Sequence, residues 1–188
     1  GKYLPLGLNT DNDYEISFSP RDLILVGGRR GAGKSITCSN IANNVYESGK
    51  SAIYFTIEMD SRAILQRCCS IATEIPFSRL RAKNLNVTEW EKVASWWAGR
   101  YQDSQERLAE YQEHRNFEQF HDKLKSTCEL HPTQQLDVVY DPSLTVSKIR
   151  AELDKKVKSK MDVGVVIVDY INQVKRSSMP LSLIHISE

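Results

Sequence analysis

The 188-residue sequence predicts an α/β protein: a mostly parallel sheet flanked by helices, with a helical hairpin inserted. Three observations predict it. Strand-like apolar runs at residues 23–26, 51–57, 136–140 and 163–168 alternate with amphipathic helical stripes. Alternation of this kind means parallel strands joined by right-handed crossovers. The last run, Val163-Gly164-Val165-Val166-Ile167-Val168, is continuously apolar, as expected of a strand buried on both faces. The first run passes directly into a glycine-rich turn, Gly27-Gly28-Arg29-Arg30-Gly31-Ala32-Gly33-Lys34-Ser35, and then into a helical stripe.

That turn carries Gly28, four residues, then Gly33-Lys34-Ser35, the full phosphate-loop pattern in the strand–turn–helix setting that it requires. A triphosphate needs many donors in a small space, and glycines let successive backbone N–H groups converge on its oxygens. The positive end of the following helix adds to the attraction. Lys34 is placed to reach the β- and γ-phosphates and the Ser35 hydroxyl to ligate Mg²⁺. The expected ligand is therefore a nucleoside triphosphate with Mg²⁺. Its expected contacts are Gly28, Arg29, Arg30, Gly31, Ala32, Gly33, Lys34, Ser35 and Ile36.

Bulk properties narrow the field. A net charge of +1 provides no overall basic field, so nucleic-acid binding cannot be argued from charge. The four cysteines, Cys38, Cys68, Cys69 and Cys128, form no zinc-like spacing and read as thiols in a reducing compartment. No apolar run approaches the ~20 residues of a membrane span, which predicts a cytoplasmic protein with no membrane association. The length suits one domain, expected over residues 1–180. Residues 181–188 read as a non-native tail and are left out of the expected fold.

In chain order, residues 1–20 are turn-rich with one short alternating piece at 14–18. After the phosphate loop, Ile36, Ile41, Ala42, Val45 and Tyr46 form a helical stripe closed by Gly49. The strand at 51–57 runs into Glu58-Met59-Asp60, where Asp60 or Ser61 caps a helix that Pro76 ends. From Thr88, read as a cap, a helical pattern runs through Trp90, Val93, Trp97, Tyr101, Leu108 and Tyr111. A break at His114-Arg115-Asn116 precedes a second stripe of Phe117, Phe120 and Leu124, so a helical hairpin is expected within residues 88–130. A strand at 136–140 follows. Thr145 or Ser147 then caps a helix to Lys160 with Ile149, Leu153 and Val157 inward.

Open α/β sheets bind ligands at the carboxyl ends of their strands. Three groups lie there: the phosphate loop, Glu58 after Ile57, and Asp169 after Val168. Asp169 has the form of a Walker B carboxylate, holding Mg²⁺ alongside Ser35. The next residue is Tyr170 rather than a glutamate, so the base that activates water comes from elsewhere. Glu58, the acid at the end of a neighbouring strand, is the candidate.

The phosphate loop, the strand ending in Thr56-Ile57-Glu58-Met59, a helix carrying Arg67, and Val166-Ile167-Val168-Asp169-Tyr170-Ile171-Asn172-Gln173 together resemble the RecA-type motor domain of DnaB-like replicative helicases. The segment from Leu144 to Arg150 is also similar to that family, and the resemblance covers residues 4–176. It implies a RecA-like P-loop NTPase in which Glu58 and Lys34 are catalytic and Asp169 is the Walker B acid. It further implies ATP hydrolysis coupled to translocation on single-stranded DNA, by a hexameric ring that contacts a primase or a helicase loader. A bacterial or phage-infected cell is the implied setting. A recombination or repair ATPase, or a nucleotide-dependent switch or loader, is the alternative. In RecA-type sheets a sensor strand follows the Walker B strand in sequence and lies between it and the phosphate-loop strand. That strand, the DNA-binding loops and the arginine finger are expected beyond this chain, with Lys175-Arg176 at the start of the first loop. The strands at 23–26 and 163–168 are then expected either to leave a gap or to be drawn together. On that reading the chain folds poorly alone, binds ATP weakly and shows no appreciable ATPase.

Overall fold

A computed structural model describes residues 2–4, 16–18, 25–28, 32–169 and 183–186, with side chains from 36 to 169. It divides into two compact units, one of residues 1–68 with 132–188 and one of residues 69–131.

The first unit opens with β1 (Lys2–Leu4) and β2 (Ile16–Phe18), an antiparallel pair. Then come β3 (Leu25–Gly28), α1 (Ala32–Glu47) and β4 (Ser51–Thr56). After β4 the chain enters α2 (Ser61–Thr73), whose last turns lie in the second unit. Of the two caps expected for α2, Asp60 is the one seen: its Oδ1 accepts the Ala63 N–H at 2.8 Å. Gly49 follows α1 with φ +96°, a left-handed conformation that glycine adopts without strain.

The chain returns to this unit for β5 (Leu136–Tyr140), α7 (Val146–Lys158), β6 (Val163–Asp169) and β7 (Leu183–Ile186). The sheet order is β5-β4-β6-β3-β7, and all four pairings are parallel. Residues 183–186 thus pair with β3, although the sequence leaves 181–188 outside the fold. β3 and β6 are direct neighbours, from Leu25↔Val166 to Gly28↔Asp169, with no gap between them.

One sheet face meets α7. Ile53, Phe55, Ile57, Val166 and Val168 pack there with Leu144, Val146, Ile149 and Met161. Thr145 caps α7 by accepting the Lys148 N–H at 3.2 Å. Leu153 packs against this core as expected, but Val157 is 55% exposed, a correction to its inward placement. In that turn Lys156 is the residue that meets the sheet, paired with Asp137 of β5, and Val157 turns to solvent. On the other face α1 contributes buried Cys38, Ile41, Ala42 and Val45, and it packs on β3, β4 and β6. The β4–β6 register skips Gly164, since Ser51 pairs with Val163 and Ala52 with Val165. That irregularity brings the residue 164 backbone against Val45 and Lys50.

In the second unit the sequence pattern predicts two helices after position 88, and the structure has three. They are α4 (Val87–Gly99), α5 (Gln105–His114) and α6 (Phe117–Thr127), preceded by the short α3 (Phe77–Ala82). Pro76 does more than end α2, because it is the N-cap of α3. The cap of α4 is Asn86 rather than Thr88, in a reciprocal capping box with Glu89. The extra break follows Arg100. There Asp103 takes φ 52°, and the Ser104 hydroxyl donates 2.6 Å to the Ala98 carbonyl near the end of α4. Local side-chain bonding of this kind interrupts a helix without disturbing its apolar spacing. The break at His114-Arg115-Asn116 is where it was expected, with Asn116 capping α6. Trp97 stacks edge-on to His121 at 4.8 Å and Tyr111 lies 5.2 Å from Phe120, closing a small aromatic core around Leu124.

Candidate functional site

β3, β6 and β4 are consecutive in the sheet and parallel, so their carboxyl ends lie on one edge. Gly28, the first glycine of the phosphate-loop pattern, pairs with Asp169. Gly33, Lys34 and Ser35 occupy the opening of α1, where backbone N–H groups have no partner within the helix. Ile36 follows, 52% exposed. Arg29, Arg30 and Gly31 lie outside the described residues, as do Tyr170, Asn172, Lys175 and Arg176.

Asp169 ends β6 and is 2% exposed. The Tyr54 hydroxyl donates to its Oδ2 at 3.2 Å. Burial pushes the Tyr54 hydroxyl far above the usual phenol range, and the nearby Cys38 and Asp169 add to the shift. Sequence reasoning missed this tyrosine. The signal was a phenol inside a wholly buried strand, which has to find an acceptor.

Glu58 is solvent-exposed and stands two residues beyond the end of β4. The chain turns there because the Thr56 hydroxyl accepts the Met59 N–H at 3.2 Å, while the Thr56 carbonyl accepts the Asp141 N–H at 3.0 Å. Phe55 pairs with Val168, so Asp169 follows that pair by one residue and Glu58 by three. The structure therefore gathers Gly28, Asp169, Glu58 and the opening of α1 at one sheet edge. Arg67 lies on α2. A groove of about 590 Å³ in the second unit, lined by Trp90, Tyr111 and Phe117 with Lys83, His114 and Arg115, holds none of the expected site residues.

Among the described residues no helix is long and apolar enough to cross a membrane. The chain is similar to proteins of known kind. A probable replicative DNA helicase of Trieres chinensis is 25% identical over 166 residues, covering 88% of this chain and 30% of that protein. The replicative DNA helicase DnaB of Nostoc sp. is 32% identical over 92 residues, or 48% of this chain and 10% of that one. The chain thus spans less than a third of the length of either relative. Among solved structures, a chain described as an ATPase domain has the same fold, with a TM-score of 0.58 at 13% identity over 93% of this chain and 52% of its own. The model of the DnaB-like helicase C-terminal domain matches residues 4–185, nearly the whole length, and the chain belongs to that family.

Proposed function

We propose that this chain is the ATP-hydrolysing motor domain of a replicative DNA helicase, active as a hexameric ring on single-stranded DNA. The pairing of Gly28 with Asp169 carries the reading, because it sets a phosphate-loop strand beside a buried carboxylate. In this reading the backbone N–H groups from Gly28 to Ile36 hold the phosphates, with Arg29, Arg30, Gly31, Ala32 and Gly33 forming the loop. Lys34 neutralises charge that develops between the β- and γ-phosphates. Glu58 accepts a proton from the attacking water.

Mg²⁺ suits the donors present. It takes hard oxygen ligands, usually one or two carboxylates with phosphate oxygens and waters. Asp169, a buried carboxylate, and Ser35, a hydroxyl, would hold the cation, which would supply positive charge to offset that of the phosphates. A primase or a helicase loader as partner, and a cytoplasmic replication setting in a bacterial or phage-infected cell, complete the proposal. The relatives favour this reading over a recombination or repair ATPase or a nucleotide-dependent switch or loader.

The test uses the longest natural form of the protein that carries this chain. Lys34→Ala should abolish binding of a fluorescent ATP analogue. Glu58→Gln should bind it normally while ATP turnover falls ~10²–10⁴-fold, the contribution of a positioned general base. Strand displacement on forked DNA should fall with turnover. Near wild-type turnover by Glu58→Gln would make Glu58 an ordinary acid at a helix start.

A further inference from the structure

Tyr54 is fully buried in the middle of β4, and its hydroxyl reaches across to the neighbouring strand. Tyr54 pairs with Ile167, so its ring leans two residues towards the carboxyl end of β6 to meet Asp169. Side chains two apart along a strand share a face, which makes this diagonal contact possible. A buried phenol could satisfy itself on a backbone carbonyl. Here it bonds instead to the acid that ends the central strand of the site.

The consequence is for the carboxylate. A hydroxyl bonded to an ionised carboxylate is a strong, charge-assisted contact that restricts rotation of the acid. The Tyr54 hydroxyl, carried on a fully buried strand, is the donor in this pair. It engages Oδ2 and so constrains how the other oxygen is presented. Partners of this kind, one bond removed from a cation, set its affinity by orienting the ligand.

We infer that Tyr54 is a positioning residue for Asp169, fixing the carboxylate in the orientation in which it meets the nucleotide-bound divalent cation. The inference rests on the nucleotide reading of this sheet edge. It predicts that the Tyr54 hydroxyl matters for the part of nucleotide affinity that depends on Mg²⁺, and not for fold alone.

The readout is the ratio of the Kd for a fluorescent ATP analogue in EDTA to that in Mg²⁺, measured on the protein's longest natural form. Tyr54→Phe removes a single oxygen and keeps the ring. It should lower the ratio about ten-fold, the scale on which such supporting contacts act. Ile53→Val trims a buried side chain on the opposite face, so it lowers stability without touching Asp169, and should leave the ratio unchanged. An unchanged ratio in folded Tyr54→Phe overturns the inference and leaves Tyr54 a packing residue. Should that variant not fold, 3-fluorotyrosine at position 54 keeps the ring and alters only the strength of the donor. The ratio must then move, and an unmoved one overturns the inference equally. Asp169→Asn separates the two levels. If it keeps the wild-type ratio, the proposed nucleotide site itself fails. If it loses the ratio while Tyr54→Phe does not, only the role of Tyr54 is lost.

Discussion

At position 164 a Cβ would stand 2.6 Å from Val45 Cγ1 and 3.0 Å from Lys50 Cβ, closer than carbon atoms approach without displacement. The glycine is needed for this close approach of α1 to β6, since its conformation imposes no demand for positive φ. Gly164→Ala forces the end of α1 away from the sheet, and overpacking of a buried site costs about 1–3 kcal/mol. The expected outcome is a lower denaturation midpoint in urea with an unchanged slope, and Val45→Ala in the same chain should recover part of the loss. The same scale holds the chemistry. The buried Asp169 and the exposed Glu58 sit in contrasting surroundings, which suits the roles proposed for them, a fixed ligand and a base open to water.

Among the elements, the junction of α3 and α4 rests on one carboxylate. Glu89 accepts from both terminal nitrogens of Arg79, and its Oε1 also accepts the Asn86 N–H at 3.1 Å. The Arg79 guanidinium first, and the Asn86 N–H second, hold the Glu89 carboxyl below the ordinary glutamate range. A lowered value means that its contribution is complete above the unfolded-state pKa and is lost as pH falls through the folded one. Wild type should therefore lose more stability on acidification below about pH 4.3 than Glu89→Gln does. The difference should shrink at high salt, because Arg79 is partly exposed and the pair is screened. Asn86→Ala should cost about 1 kcal/mol at any pH above that window, the usual value of an N-cap.

For the molecule as a whole, the helices of residues 69–131 form a compact unit with an aromatic core of its own. The Gln102 N–H donates to the Glu129 carbonyl at 2.7 Å, so the two ends of the α5–α6 segment already lie together. Replacing residues 103–128 by a short Gly-Ser link should leave nucleotide affinity within a few-fold, while uncovering Trp97 and lowering solubility. Circular dichroism would confirm that the sheet persists. A loss of ATP binding in that folded variant would place α5 and α6 in the nucleotide site.

Sequence alone was enough for the strands β3 to β6 and for the residues that follow their ends. Continuous apolar runs mark β4 and β6, and the phosphate-loop pattern carries its own strand–turn–helix context, so Lys34, Glu58 and Asp169 could be proposed as site residues before any coordinates. These signals are local: periodicity, spacing, and the residue that ends each strand. Helix count in the insertion was not legible, because Trp97, Tyr101 and Leu108 keep helical spacing through a break made by the Ser104 hydroxyl. Nor could the pairing of residues 183–186 with β3 be read, since a four-residue strand acquires meaning only from its neighbour. Val157 keeps the apolar spacing of α7, but Lys156 is the residue of that turn that meets the sheet, paired with Asp137 of β5. The Tyr54–Asp169 bond joins residues 115 positions apart, a pairing set by parallel register that only the tertiary structure decides.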